Sequence, residues 1–170
     1  MAELAETMDQ AVKVMEDREG KYLTFSLAKE EYGIGILKVK EIIGMMPVTT
    51  VPRTPEYVRG VINLRGKVIP VIDLRLKFGM EDKDYTERTC IIVAEIAGKA
   101  GSVLIGIVVD SVSEVMNIKA ADVEEAPAFG GNRAADNILG MAKINGGVKI
   151  LLDIDRVMGN GETAFANLET

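Results

Sequence analysis

The chain has 170 residues, 48% of them apolar, and a formal net charge of −6. That is enough apolar material for one domain or two small subdomains with real cores, and it excludes a disordered chain. The acidic balance argues against a protein that tracks nucleic-acid phosphates, which needs a basic footprint.

Residues 1–20 lack the basic start and apolar run of a signal peptide. Leu4, Met8, Val12 and Met15 form one apolar stripe, and Asp9 with Lys13 makes a favourable i,i+4 pair. The segment is predicted as an amphipathic helical extension whose stripe packs on the rest of the chain, the alternative being a partner helix. No apolar run approaches the ~18 residues of a membrane span, so a soluble cytoplasmic protein is expected, without membrane insertion. Tyr22–Leu27 is strand-like, Ala28 to Glu31 reads as a turn, and Gly33 to Ile42 continues as strand. Gly33-Ile34-Gly35 is a fragment of a dinucleotide fingerprint, but it opens no helix and is discounted. Asn63-Leu64-Arg65-Gly66 reads as a turn before the buried strand Val68–Ile72. Asp73 is a good N-cap and Gly79 a good C′ residue for one helical turn. Cys90–Ile96 opens a second series of strands, with a turn over Ala97 to Gly101. The polar tail, residues 160–170, is expected to fray.

The second series repeats the first. Gly60, Gly66, Val68, Asp73 and Gly79 fall on Gly140, Gly146, Val148, Asp153 and Gly159 at constant offset. Upstream, the stretch Gly33 to Ile42 matches Gly106 to Val115 at a smaller offset. A longer loop around Ala128, Gly130, Gly131 and Asn132 absorbs the difference. Residues 21–88 and 89–159 are read as two copies of one mainly β unit, each a small barrel or sandwich, with Gly66 over Gly146 and Asp73 over Asp153. Residues equal in both copies serve the barrel. Residues that differ are free for a partner: Asn63 stands opposite Lys143 and Arg65 opposite Asn145, so the turn itself does not require Arg65. Arg65→Ala should leave the melting temperature nearly unchanged while weakening partner binding, and the equivalent Asn145→Ala should do neither.

Catalytic constellations are largely absent. The chain has no histidine, so Ser-His and Cys-His nucleophile pairs are excluded. Cys90 is its single cysteine. It lies in a strand pattern as an apolar filler, permits no intrachain disulfide, and fits a reducing compartment. There is no phosphate loop and no metal-ligand spacing. No enzyme activity, cofactor or metal is expected. An oligonucleotide-binding barrel is the runner-up of a different class, but the chain has no tryptophan and the wrong charge for it.

The stretches "GIGILKVKEII", "VPRTPEYVRGVINLRGKVIPVIDLRLKFG" and "IGIVVDSVSEVMNI" together resemble the CheW-like domain family of chemotaxis coupling proteins. The resemblance runs from about Tyr22 to Gly159. It implies a single domain over 21–159, all-β, made of two tandem five-stranded SH3-like barrels. It also implies an adaptor that bridges transmembrane chemoreceptors and the histidine kinase CheA, monomeric alone and recruited to membrane receptor arrays. Related surface-motility pathways use coupling proteins with the same domain. The resemblance places Val39, Glu41, Ile42, Gly60 and Arg65 on the receptor-facing surface, and Val108, Asp110, Val112 and Glu114 on the kinase-facing one. An arginine beside an apolar surface is costly to desolvate unless paired, so an Arg65–Glu41 ion pair is expected at the mouth of the receptor groove.

Overall fold

The computed structural model describes residues 20–98, 101–125 and 137–159. The expectations for the N-terminal stripe, the loop around Gly130 and the tail lie outside these residues. In chain order the elements are β1 (Gly20–Leu27), β2 (Glu30–Gly35), a 3-10 turn (Ile36–Lys38), β3 (Val39–Gly44), β4 (Val58–Leu64), β5 (Lys67–Asp73) and α1 (Leu74–Lys77). They are followed by β6 (Cys90–Gly98), β7 (Gly101–Val109), β8 (Ser111–Ile118), a second 3-10 turn (Ala120–Asp122), β9 (Val123–Glu124), β10 (Ile138–Ile144), β11 (Gly147–Leu152) and α2 (Ile154–Gly159).

Two sheets result. One runs β3-β6-β7-β5-β4, the other β8-β1-β2-β11-β10-β9. Matching the copies pairs β1 with β6, β2 with β7, β3 with β8, β4 with β10 and β5 with β11. The same exchange turns one strand order into the other. Each barrel therefore takes its central hairpin from one copy and three strands from the other. This corrects the expectation that 21–88 and 89–159 each close a barrel. The first barrel is β3–β7, continuous in sequence. The second joins β1 and β2 to β8–β11 around it. The two-residue β9 makes the second sheet six-stranded rather than five; its counterpart in the first copy is the single bridge Thr49–Val61.

The matched residues keep their places through this exchange. Val71 of β5 pairs with Gly106 in parallel, and Leu151 of β11 pairs with Gly33. The Asp73 carboxylate accepts the Arg75 and Leu76 N–H groups at the start of α1, and Asp153 accepts the Arg156 N–H at the start of α2. A bulge interrupts the register beside Gly60 and again beside Gly140. Gly79 has the left-handed φ of 74° expected after α1, whereas Gly159 is the last residue of α2 and is not left-handed.

The near-continuous apolar runs of β6 and β7 follow from burial on both faces. Ile91 and Val93 face the inside of the first barrel with Ile62, Ile69, Val71 and Val108. Ile92, Ala94 and Ile96 face a larger core shared by the two sheets, with Leu23, Phe25, Leu27 and Ile107. Tyr22, Ile118, Ala142 and Leu151 fill the second barrel. Two ion pairs of opposite polarity sit where the copies cross. In one, Arg75 of α1 donates to Asp110 at 2.7 Å, and Asp110 also accepts the Ala28 N–H at 2.9 Å. In the other, Asp155 of α2 pairs with Lys38 at 2.5 Å and accepts the Ala97 N–H at 2.9 Å.

Candidate functional site

The β4–β5 hairpin turns over Arg65 and Gly66, both left-handed, with φ 54° and 87°. Two consecutive positive φ values let a two-residue turn match the twist of its strands. Asn63 closes the turn by accepting the Gly66 N–H through its side chain, 2.8 Å. Gly and Asn take the left-handed region readily; arginine does so at a cost. Arg65 is therefore present despite the turn.

Its guanidinium reaches across to β3 and donates to both Glu41 carboxylate oxygens, at 2.7 and 2.9 Å. The expected ion pair forms, as a bidentate fork. β3 and β4 are the two edges of the first sheet, so the pair bridges the seam of the barrel. Arg65 is exposed and Glu41 half-buried. The hydrogen bonds from Arg65 hold the Glu41 carboxyl below the ordinary carboxylate range, and the same contact raises Arg65.

Behind the pair lies a groove of about 610 Å³, the mouth of the first barrel. Leu64, Ile69, Val93 and Leu104 line its apolar floor, and Lys40, Glu95 and Lys67 stand with the ion pair at its rim. Lys40 pairs with Glu95 at 2.7 Å. Hydrogen bonds from Lys40 and Ser102 lower the Glu95 carboxyl.

The second barrel shows what the fold does without a groove. Ile69 and Leu104 of the first barrel correspond to Lys149 and Glu31 of the second, and Lys40 and Glu95 correspond to Ser113 and Ser26. Lys149 pairs with Glu31 at 3.6 Å, and both serines donate to Glu31. The second mouth is plugged by a polar network where the first keeps an apolar floor. That comparison of copies, carried to Ile69 and Leu104, would have found the groove in the sequence.

The remaining candidates separate. The β3 register puts Glu41 opposite Val93, on the face toward the first barrel, and Val39 opposite Ala94 and Ile42 opposite Ile92, on the other face. Lys40, at the bulge between Val39 and Glu41, makes this switch possible. Val39 packs partly buried against the shared core, while Ile42 is 45% exposed. The apolar pair and the ion pair thus flank an edge strand and do not share one wall. Gly60 is buried beneath Thr49 and offers no surface: a Cβ there would lie 2.0 Å from the Thr49 carbonyl oxygen. Val108 is buried in the first barrel, and Val112 packs partly buried on the shared core. Asp110 is bound to Arg75 at the copy crossing. Burial alone would raise its carboxyl, but the Arg75 and Ala28 hydrogen bonds outweigh that and lower it. Glu114 is exposed on the edge strand β8.

A further network was not foreseen. Buried Asp73 accepts hydrogen bonds from Arg59 and from the Tyr85 hydroxyl, 3.3 and 3.0 Å, and Arg59 also pairs with Asp82. Burial, then the Asp73 charge, pushes Tyr85 up to about 12. The contacts pin the segment after α1 across β4. Among the described residues no cluster of three or more carboxylate or sulfur groups could hold a metal ion, and no helix is long and apolar enough to cross a membrane.

The CheW-like domain family model matches residues 21–162. The chain is 40% identical over 147 residues to the chemotaxis protein CheW of Klebsiella aerogenes, covering 86% of each chain. It is 31% identical over 159 residues to a probable chemotaxis protein CheW of Rhizobium etli, covering 94% of this chain and all of that one. Among solved structures it resembles the scaffolding protein TtCheW from Thermoanaerobacter tengcongensis, with TM-score 0.73 and 36% identity over 82% of this chain and 92% of that one.

Proposed function

The chain belongs to the CheW-like domain family, and from that premise we propose that it is a non-enzymatic chemotaxis scaffold, coupling chemoreceptor tips to the histidine kinase CheA. The observation that carries the receptor side is Arg65. It occupies a left-handed position that its own fold fills with asparagine in the other copy, and it is held by Glu41 over an apolar groove. A residue kept against its backbone preference at an exposed mouth fits a binding role.

The receptor tip, a helical hairpin, grips the edge strand β3 from both sides. Its apolar side chains enter the mouth beside Leu64 and Leu104 and also pack on Ile42, while the Arg65–Glu41 fork fixes orientation. Val39 and Gly60 support this surface from beneath. CheA docks on the β8 side, where Glu114 is exposed, and Asp110 and Val112 hold that strand in place. The protein works in the cytoplasm at receptor arrays.

Co-sedimentation with receptor-containing membranes, with and without CheA, tests the proposal. The chain should pellet with receptor alone and raise the amount of CheA that pellets. A chain that stays in the supernatant under both conditions would refute it.

A further inference from the structure

We infer that Lys67 is a specificity-determining residue of the groove, and that the receptor helix seated there carries a carboxylate about one turn from its apolar anchor. This rests on the groove being the receptor site.

Lys67 lies opposite Leu64 in the β4–β5 register, with Ile69 opposite Ile62 as the next pair inward on that face. Ile62 and Ile69 belong to the core of the first barrel. Lys67 therefore continues the barrel's inward column to its open end and stands over the apolar floor. The fold does not ask for a cation here: the corresponding residue of the second hairpin is Gly147, which pairs with Ile144 in the same register. The hairpin tip thus reads Arg65-Gly66-Lys67 in the copy that has a groove and Asn145-Gly146-Gly147 in the copy whose mouth is plugged.

The rim charges do not balance. Glu41 is taken by Arg65 and Glu95 by Lys40. Among the described residues no further carboxylate stands at the rim for Lys67. An otherwise acidic chain therefore presents a cationic edge to whatever fills its groove. An occupant that buried an apolar side chain on Leu64 and Leu104 and brought no anion would partly desolvate this ammonium without compensation. A carboxylate three or four residues from the anchor, on the same helix face, supplies the counter-charge. A receptor with a basic residue at that place is rejected by like-charge repulsion, so Lys67 selects among receptors.

The test measures association of the full chain with the cytoplasmic fragment of a chemoreceptor from the same organism, over a range of salt. Lys67→Glu should slow association by about tenfold and Lys67→Ala by about threefold, both flattening the salt dependence, as rim charges do. Exchanging the matching receptor glutamate or aspartate for lysine should restore binding to Lys67→Glu. Gly147→Lys, on the other hairpin, should change nothing. The inference is overturned if Lys67→Glu binds like the wild type while Arg65→Ala does not, or if no receptor charge exchange restores Lys67→Glu. Loss of affinity in Lys67→Ala with an unchanged salt slope would mean that only the aliphatic stem matters, and would overturn it too. If the wild-type chain itself fails to bind, the receptor reading falls and this inference with it.

Discussion

Arg65 and Asn145 occupy the same position of two copies of one hairpin, and both are left-handed, with φ 54° and 51°. Asparagine suits that backbone and arginine does not. Arg65→Asn should therefore hold or raise the melting temperature, while removing the fork to Glu41 and slowing receptor binding by about threefold to tenfold. Asn145→Ala should cost about 1 kcal/mol, because alanine is disfavoured in the left-handed region that asparagine tolerates. Thermal melts of both variants, beside binding assays, check the pair.

Gly60 and Gly140 should be intolerant for a steric reason. A methyl at Gly60 would meet the Thr49 carbonyl oxygen at 2.0 Å, on a backbone with φ 143°; at Gly140 it would meet the Val123 Cγ1 at 2.5 Å and the Glu124 carbonyl oxygen at 2.9 Å. Gly60→Ala should lose about 3 kcal/mol. Gly66→Ala meets nothing within 4 Å and carries only the strain of its φ, so it should lose less. Denaturant midpoints for the two variants should fall in that order, and any binding defect of Gly60→Ala should track its unfolding.

Much of this was legible in the sequence, and the losses have physical causes. The repeat was visible because turns and caps impose residue types: Gly66, Asp73 and their partners are demanded by backbone geometry alone. The Arg65–Glu41 pair followed from the cost of desolvating a guanidinium. The strand exchange was not legible, because a hairpin buries the same apolar pattern whichever copy's strands flank it. The two faces of β3 were not legible either, because the Lys40 bulge shifts the alternation by one residue and sends Glu41 and Ile42 to faces that simple counting from Val39 does not give. The burial of Val108 was not legible, because a strand buried on both faces has no polar side to mark its orientation.

The two barrel mouths invite an exchange. Installing the second mouth's pair in the first, as Ile69→Lys with Leu104→Glu, should leave the chain folded by circular dichroism but abolish receptor binding by plugging the floor. In the second mouth, Glu31→Leu alone should cost about 1–2 kcal/mol, since it leaves Lys149 without its counter-charge and Ser26 and Ser113 without an acceptor. Adding Lys149→Ile should recover most of that loss, because it removes the half-buried ammonium left unpaired. A double variant less stable than Glu31→Leu would refute this account of the plug.

The Arg65–Glu41 fork predicts a pH window. The folded state holds Glu41 below its ordinary value of 4.5, so the contribution of the pair is present above that value and is lost as pH falls through the lowered one. Carboxyl NMR shifts should show Glu41 titrating late on acidification, and in Arg65→Ala returning to the ordinary glutamate range. A Glu41 resonance that titrates identically in both proteins would mean that the pair does not persist in solution.

The strand exchange sets an order of events during synthesis. The β1–β2 hairpin is the first described element to leave the ribosome, yet its neighbours β8 and β11 end at Ile118 and Leu152. At about 5–20 residues per second, the hairpin waits on the order of ten seconds for its last partner strand. The first barrel has no such delay. Its strands are contiguous from Val39 to Val109, so it can close while the rest of the chain is still being made. The nascent protein then carries a finished groove and an unpaired hairpin rich in aromatic and β-branched residues, which makes β1–β2 the segment that a chaperone must shield.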